Sequence, residues 1–171
     1  MRRLLSLLLL ATLFAALPAC GGGIGGGGGD DAGTIPPGDT PSETERALAL
    51  EVFALINRER ADYGLPALLW HDGVAQVAYE HSVDMDVRDY FSHVTPEGLS
   101  PGQRGTAAGI EWTAYGENIA YGQPTPEAVM EAWMDSEGHR ENILGTWYTH
   151  VGVGVHVAGG GPWWTQNFFA P

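Results

Sequence analysis

The chain has 171 residues, of which 21 are acidic and eight are basic, and every basic residue is an arginine. This length provides for one domain plus a tail. The formal net charge is −13. This negative charge argues against binding of the folded domain to nucleic acid or to an anionic membrane surface.

The N-terminus has the pattern of a signal peptide, residues 1–19. Arg2 and Arg3 precede an apolar run that is too short to span a bilayer comfortably and that ends in "LPAC". A small residue before a lone cysteine predicts lipoprotein processing, with lipid attached to Cys20. The alternative is an ordinary signal peptide cut near Ala19. The lipoprotein hypothesis predicts an extracytoplasmic, membrane-anchored protein, in the outer membrane if the host is Gram-negative.

Residues 20–41 form a Gly-rich tether with a Pro/Asp end, a composition that is typical of flexible linkers and cannot bury a core. The folded domain is therefore predicted to be residues 42–171. Since Cys20 is the only cysteine, no intrachain disulfide can form, and packing alone must stabilise this domain. Cleavage before Cys20 would remove two arginines and change the net charge from −13 to about −15.

The first element of the domain is predicted to be an amphipathic helix over residues 42–64. Ser42 and Glu45 match a capping box, and Gly64 is a helix stop. Its apolar residues recur at helical spacing at Leu48, Val52, Leu55 and Ile56. A short extended link follows.

Asp72 is then expected to cap a second helix. One face of this helix carries Val74, Val77, Ala78, His81 and Met85. After a loop, Ser100, Pro101 and Gln103 match another capping box. Thr125 and Pro126 repeat the helix start, and residues 136–145 indicate one more short helix.

The C-terminal residues change to a period of two. Val151, Val153, Val155 and Val157 alternate with His150, Gly152, Gly154 and His156, which predicts a strand with two distinct faces. Residues 159–169 predict a turn and a second, antiparallel strand. Several helices followed by such a sheet indicate an α+β sandwich.

Three polar clusters interrupt the apolar pattern: "FSHVTPEG" with His93, "YGENIA" with Glu117, and "DSEGHREN" with Glu137 and His139. Histidines with carboxylates can bind a divalent metal ion or transfer a proton. The chain lacks the metal-site spacings HExxH and CxxC and the nucleophile motif GxSxG. Neither zinc-protease chemistry nor nucleophilic hydrolysis therefore has a local signature.

The domain resembles bacterial members of the CAP superfamily, also called SCP-like, which includes cysteine-rich secretory proteins, venom antigens and plant pathogenesis-related proteins. The resemblance is carried, in family order, by "LINRERADYGLPALLWHDGVAQVAYEHSVDM", "YFSHVTPEGLSPGQR", "YGENIA", "AWMDSEGHRENIL" and "THVGVGV". It implies an α-β-α sandwich with a C-terminal antiparallel sheet and a shallow cleft that holds two histidines and two acidic residues.

The same resemblance implies that His93, Glu117 and His139 are cleft residues. The fourth position falls about one helical turn after Trp133, on Ser136, whereas the nearest acid is Glu137. His150 lies on the strand beside the expected cleft and is a further candidate. His71 and His81 are interpreted as surface or helix-face histidines.

Two hypotheses for this cleft stay open. The first is a binding domain for a small apolar molecule, an envelope component or a protein partner. The second is a metal-dependent hydrolase, with zinc as the metal and His93 and His139 as its ligands. In either case the cluster can also be a buried polar network that only fixes the loops.

Overall fold

The structure is a computed structural model that describes residues 40–171. The predicted signal peptide, the lipidation of Cys20 and nearly all of the tether lie outside these residues. Within residues 40–171, none of the helices combines the length and the apolarity that a membrane span requires.

Helix α1 spans Glu43–Asp62, and its start confirms the predicted capping box. The Ser42 hydroxyl accepts from the backbone N–H of Glu45 at 3.3 Å, and the Glu45 carboxylate accepts from the backbone N–H of Ser42 at 2.8 Å. At the other end, Gly64 has a φ of +71°, which glycine adopts without strain. The buried face of α1 includes the predicted Val52, Leu55 and Ile56.

Helix α2 spans Asp72–Val87, but its cap is His71, so the prediction that Asp72 caps this helix is wrong. The Nδ1 atom of His71 accepts from the backbone N–H of Val74 at 3.1 Å. Asp72 is the first helical residue, and its carboxylate accepts from the indole N–H of Trp70 at 2.8 Å. The predicted apolar face, His81 included, is fully buried.

The three remaining helices start as the sequence predicts. Helix α3 spans Pro101–Ala107 behind the Ser100 capping box. Helix α4 spans Pro126–Asp135, with the Thr125 hydroxyl accepting from the N–H of Ala128. Helix α5 spans Glu137–Ile143.

The four strands are β1 (Leu69–Trp70), β2 (Ala114–Tyr121), β3 (His150–Ala158) and β4 (Gly161–Ala170), in the order β1-β3-β4-β2. Strand β1 is parallel to β3, and the other pairs are antiparallel. The β3–β4 hairpin confirms the sequence prediction. Strand β2 was not predicted as a strand, although it contains Glu117.

The sheet is packed on both sides, which confirms the α+β sandwich. The apolar face of the sheet contains Val151, Val153, Val155, Trp164 and Phe168 and packs against α1, α4 and α5. The opposite face, called the polar face below, contains Glu117, Gly152, Gly154, Thr165 and Asn167 and packs against α2 and α3. A Cβ atom on Gly154 would lie 2.0 Å from the backbone nitrogen of Tyr79, so glycine allows α2 to approach the sheet this closely.

Candidate functional site

Glu117 is the buried centre of the candidate site. Its side chain is 1% exposed on edge strand β2, where an isolated carboxylate would be costly. One oxygen, Oε1, lies 2.9 Å from Nδ1 of His93, and the other, Oε2, accepts from Nη2 of Arg104 at 2.5 Å. The Arg104 guanidinium therefore compensates the buried charge, and both carboxylate oxygens are occupied by protein donors.

Arg104 is a site residue that sequence reasoning missed. It lies on α3, and its Nη1 also donates to the backbone carbonyl of His93 at 2.7 Å. The same side chain thus fixes both the carboxylate and the loop that carries the histidine. The requirement that a buried glutamate has a cationic partner was the available signal, but the sequence offers several arginines and does not select one.

His93 presents one edge of its ring outward. Its Nδ1 is directed at Glu117, while the side chain as a whole is 47% exposed. In the neutral ring, Nδ1–H donates to the carboxylate, which leaves Nε2 as an acceptor toward solvent or a ligand. This is the arrangement by which a carboxylate orients an imidazole in catalytic and metal sites.

Asn118 extends the site to the other face of the sheet, because successive strand residues point in opposite directions. It is fully buried, its Nδ2 donates to the backbone carbonyl of His139 at 3.0 Å, and its Oδ1 accepts from Asn142 at 2.9 Å. A Cβ atom on Gly116 would lie 2.2 Å from the Tyr148 hydroxyl. The "GEN" motif therefore holds the His93 loop on one side of the strand and α5 on the other.

His139 approaches the same edge of the sheet from α5. Burial lowers its pKa, and so does the charge of the nearby His93. The two histidines belong to opposite layers of the sandwich, and they line different cavities along β2.

His81 is a second residue that sequence reasoning missed, because it was interpreted as a surface or helix-face histidine. It lies on the buried face of α2, with its Nε2 3.0 Å from the Ser92 carbonyl and 3.8 Å from Oε1 of Glu117. Since a carbonyl only accepts, Nε2 carries the proton. Burial lowers the pKa of His81 to about 4, so its ring is neutral at pH 7.

The remaining predicted site residues lie away from Glu117. Glu137 is exposed on the first turn of α5, whereas Ser136 lines the same cavity as His139. His150 is separated from β2 by strand β4, and its ring packs on Phe169 at a centroid distance of 5.0 Å. Ser136 therefore shares a cavity with His139, whereas Glu137 and His150 are not among the residues that line this cavity.

Two cavities lie along strand β2, one at Glu117 and the other nearer the C-terminal end of the strand, and together they are called the β2 groove. One, of about 380 Å³, is lined by His93, Trp112 and Tyr115. The other, of about 480 Å³, is lined by Phe91, Tyr121 and His139, among others. The middle of the strand edge is closed by side chains, because Asn142 and Trp133 donate to the backbone carbonyls of Glu117 and Ile119.

The side chains of the candidate site provide few ligands for a metal ion. Among residues 40–171, no group of three or more His, Cys, Asp or Glu side chains is arranged to hold one. Both oxygens of Glu117 already contact protein side chains, and the imidazoles of His93 and His139 line separate cavities. The zinc site assigned to these two histidines stays a prediction.

Comparison with known proteins identifies relatives of this domain. A sequence model of the cysteine-rich secretory protein family, CAP, matches residues 53–168. The Bacillus subtilis (strain 168) protein YkwD is 44% identical over 118 residues, which cover 69% of this chain and 45% of YkwD. The membrane protein YlbC of the same organism is 40% identical over 118 residues, 69% of this chain and 33% of YlbC.

A solved structure shows the same fold. An extracellular protein containing an SCP domain from Bacillus anthracis str. Ames superposes with a TM-score of 0.71 at 33% identity, covering 78% of this chain and 45% of that protein. The chain thus spans less than half the length of each of these relatives, which are similar to it over the described domain.

Proposed function

The chain belongs to the CAP family of cysteine-rich secretory proteins, and from this premise we propose that it is an extracytoplasmic binding module whose ligand occupies the β2 groove. The predicted signal peptide and Cys20 support a lipid anchor that holds this module at a membrane. The similarity to an extracellular SCP-domain protein supports the same location.

The observation that carries the proposal is that both oxygens of Glu117 contact protein side chains. Its two oxygens contact His93 and Arg104, so in this arrangement the carboxylate compensates a buried cation and orients an imidazole. What the groove then offers a ligand is the Nε2 edge of His93, the ring of His139 and apolar walls. This is the composition of a recognition site, with a few polar groups among apolar ones.

The walls of the groove indicate the chemistry of the ligand. Tyr121, 43% exposed, stacks on Trp163 at a centroid distance of 4.2 Å, and Phe91, 56% exposed, lies 6.2 Å from the same ring. These rings suit a flat or apolar moiety, while His93 suits a hydroxyl, an amide or a carboxylate beside it. A small apolar molecule with one polar end, or an envelope glycan carrying a peptide, has both parts.

Metal-dependent hydrolysis is the second candidate function, and the contact between Glu117 and His93 favours it. A carboxylate on the far nitrogen of a ligating histidine raises its basicity and fixes its ring. Bound zinc would supply a water of lowered pKa. In that case His93 and His139 hold the ion, and Glu117 acts through His93.

Calorimetric titration of the detergent-solubilised protein separates the two functions. The probes are palmitate, a muramyl disaccharide peptide and zinc chloride. Binding of an organic probe that is weakened about tenfold or more by His93→Gln, and is unchanged by the matched control His150→Gln, supports the binding module. Organic probes that bind equally well to both variants contradict it.

Zinc binding that His93→Gln and His139→Gln each abolish supports the second candidate. Hydrolysis of the muramyl peptide, measured with and without chelator, then decides whether the bound metal is catalytic.

The variant Cys20→Ser tests the lipid anchor. If Cys20 carries lipid, this variant leaves the membrane fraction for the soluble fraction, and metabolic labelling with a radioactive fatty acid disappears with it. A Cys20→Ser protein that is processed yet stays with membranes contradicts the anchor.

A further inference from the structure

The outer edge of strand β2 has no neighbouring strand within residues 40–171. Two contacts show which backbone groups point to this edge. Gly122 donates inward, to the carbonyl of Pro162 in β4, whereas the carbonyl of Ile119 points outward and accepts from the indole N–H of Trp133. Because the direction of the backbone groups alternates along an antiparallel strand, the N–H of Ile119 and both backbone groups of Tyr121 also point outward.

Three of these outward groups at Ile119 and Tyr121 have no hydrogen-bond partner among residues 40–171. They are the N–H of Ile119, the N–H of Tyr121 and the carbonyl of Tyr121. Ile119 is 5% exposed, and an unpaired backbone N–H at such burial is costly. A ligand that satisfies all three groups needs both carbonyl acceptors and an N–H donor, and a peptide backbone carries both.

Ile119 and Tyr121 line the second cavity of the β2 groove, which encloses about 480 Å³. One wall of this cavity contains Ala132 and Ser136, at the C-terminal end of α4, and the other contains Phe91. Three strand residues span about 10 Å, so the exposed edge can accommodate about three residues of a partner strand. A strand edge beside a helix is the setting in which an extended peptide adds a strand to a sheet.

The charge of this cavity also distinguishes between ligands. None of the described residues that line it is an arginine, a lysine, an aspartate or a glutamate. A ligand with a carboxylate head therefore has no cation to pair with in this cavity. The exposed Glu137 directly follows the lining residue Ser136, and the whole chain has a net charge of −13. These charges favour a neutral or basic ligand over an acidic one.

We propose that an extended peptide, neutral or basic, binds along the outer edge of β2 as an added antiparallel strand. This inference rests on the proposed function, because it names the ligand of the β2 groove. One peptide residue lies opposite Tyr121, donates its N–H to the Tyr121 carbonyl and accepts from the Tyr121 N–H. A residue of an antiparallel pair exchanges both bonds in this way. The carbonyl two residues further along the peptide accepts from the N–H of Ile119.

The side chains of such a peptide alternate between the two walls. The residue opposite Tyr121 points to the same side as the Tyr121 ring, where the exposed ring of Phe91 provides apolar surface. Its two neighbours point to α4, where Ala132 presents only a methyl group and the Ser136 hydroxyl does not cap α5. The main chain therefore supplies the affinity, and an apolar residue between two small or polar ones is preferred.

NMR of the full chain in detergent, with a peptide mixture as the probe, tests the proposal. The mixture contains acetylated and amidated pentapeptides with glycine at both ends and randomised L-residues between, because main-chain pairing tolerates many side chains. We expect saturable shifts of the Tyr121 and Ile119 amide signals. The same mixture with N-methylated randomised residues lacks the N–H donors and should bind about tenfold or more weakly.

The matched variants are Tyr121→Pro and Tyr121→Ala. Both remove the ring, but only Tyr121→Pro also removes the outward N–H. Proline is tolerated in an edge strand where this N–H is not part of the ladder. Binding, followed at the Ile119 amide, should be about tenfold or more weaker in Tyr121→Pro than in Tyr121→Ala. If the amide spectrum shows that Tyr121→Pro does not fold, the N-methylated mixture and the wild-type chain decide.

Three outcomes overturn the proposal. Equal binding of the two mixtures, or of the two folded variants, means that side chains and not the strand edge hold the peptide. The absence of a saturable Tyr121 shift with millimolar peptide means that water satisfies the edge. A Tyr121 amide that becomes protected as the protein concentration rises, without peptide, means that a second copy of the chain binds there.

The proposed function is judged separately from this inference. If palmitate or the muramyl peptide binds and His93→Gln weakens that binding, the binding module stands even where no peptide pairs with Tyr121. If the peptide mixture pairs with Tyr121 and His93→Gln changes the binding of none of the organic probes, the strand edge is the binding site and the role assigned to His93 is wrong.

Discussion

The two faces of the sheet differ in what they are made of and in what they do. The apolar face buries valine and aromatic side chains against α1, α4 and α5. The polar face buries Glu117, Thr165 and Asn167 and a small apolar cluster of Met85, Ile119 and Trp163. Since a polar group gains little net free energy even when it is hydrogen-bonded, stability should depend mainly on the first face and ligand chemistry on the second.

The largest expected effect is a loss of stability caused by a substitution on the apolar face. Phe168 is fully buried there, and Phe168→Ala should lower the free energy of unfolding by about 3–5 kcal/mol, because it removes apolar contacts and leaves a cavity. The matched change Phe91→Ala, on a side chain that is 56% exposed, should cost less than about 0.5 kcal/mol. Urea unfolding of both variants measures the difference, and equal losses would contradict the division.

The next effect concerns acid stability and the polar face. Burial lowers the pKa of His81 to about 4, below about 6.5 for an exposed histidine. Between these values the unfolded chain binds a proton that the folded chain does not, so stability is lost as the pH falls from about 6.5 toward about 4. The loss should be about 3 kcal/mol.

The variant His81→Gln isolates this contribution, because other titrating groups are common to both proteins. Its free energy of unfolding should fall less than that of the wild type between pH 7 and pH 4.5, measured in urea. If the free energies of unfolding of the two proteins change with pH in parallel, then folding does not lower the pKa of His81.

The helix starts illustrate what the sequence predicts well. A capping box such as Ser42 with Glu45 is a local pattern, so it can be identified without knowing the fold. Strand β2 has no such pattern. Both faces of this strand are covered, so Glu117 and Asn118 are buried at successive positions, and the alternation that identifies a strand is lost.

The partners of Glu117 illustrate what the sequence does not supply. Glu117 and His93 could be assigned through the family resemblance, but Arg104 and His81 could not. Their approach to the carboxylate depends on how α2 and α3 pack on the sheet. Tertiary packing of this kind has no periodicity that sequence reasoning can detect.

A smaller effect on stability is expected from a substitution that tests how closely α2 packs on the polar face. A Cβ atom on Gly154 would overlap the backbone of Tyr79, so Gly154→Ala should displace α2 and cost about 1–3 kcal/mol. Gly138 on α5 has open space at its Cβ position, and Gly138→Ala should be neutral or stabilise by up to about 1 kcal/mol. Thermal unfolding of the pair checks both signs, and a neutral Gly154→Ala would mean that α2 is not held as closely as its contacts indicate.

The smallest effect tests whether the two faces meet at the β2 groove. His93 belongs to the polar face and His139 to the α5 layer, yet the charge of His93 contributes to lowering the pKa of His139. His93→Gln removes that charge and should raise the pKa of His139 slightly, since burial, the larger cause, remains. His150→Gln, on the far side of β4, should leave it unchanged. NMR titration of the His139 ring measures both variants. A pKa of His139 that does not respond to His93→Gln would place the two imidazoles too far apart to act on one ligand, and the proposed β2 groove would then be two separate sites.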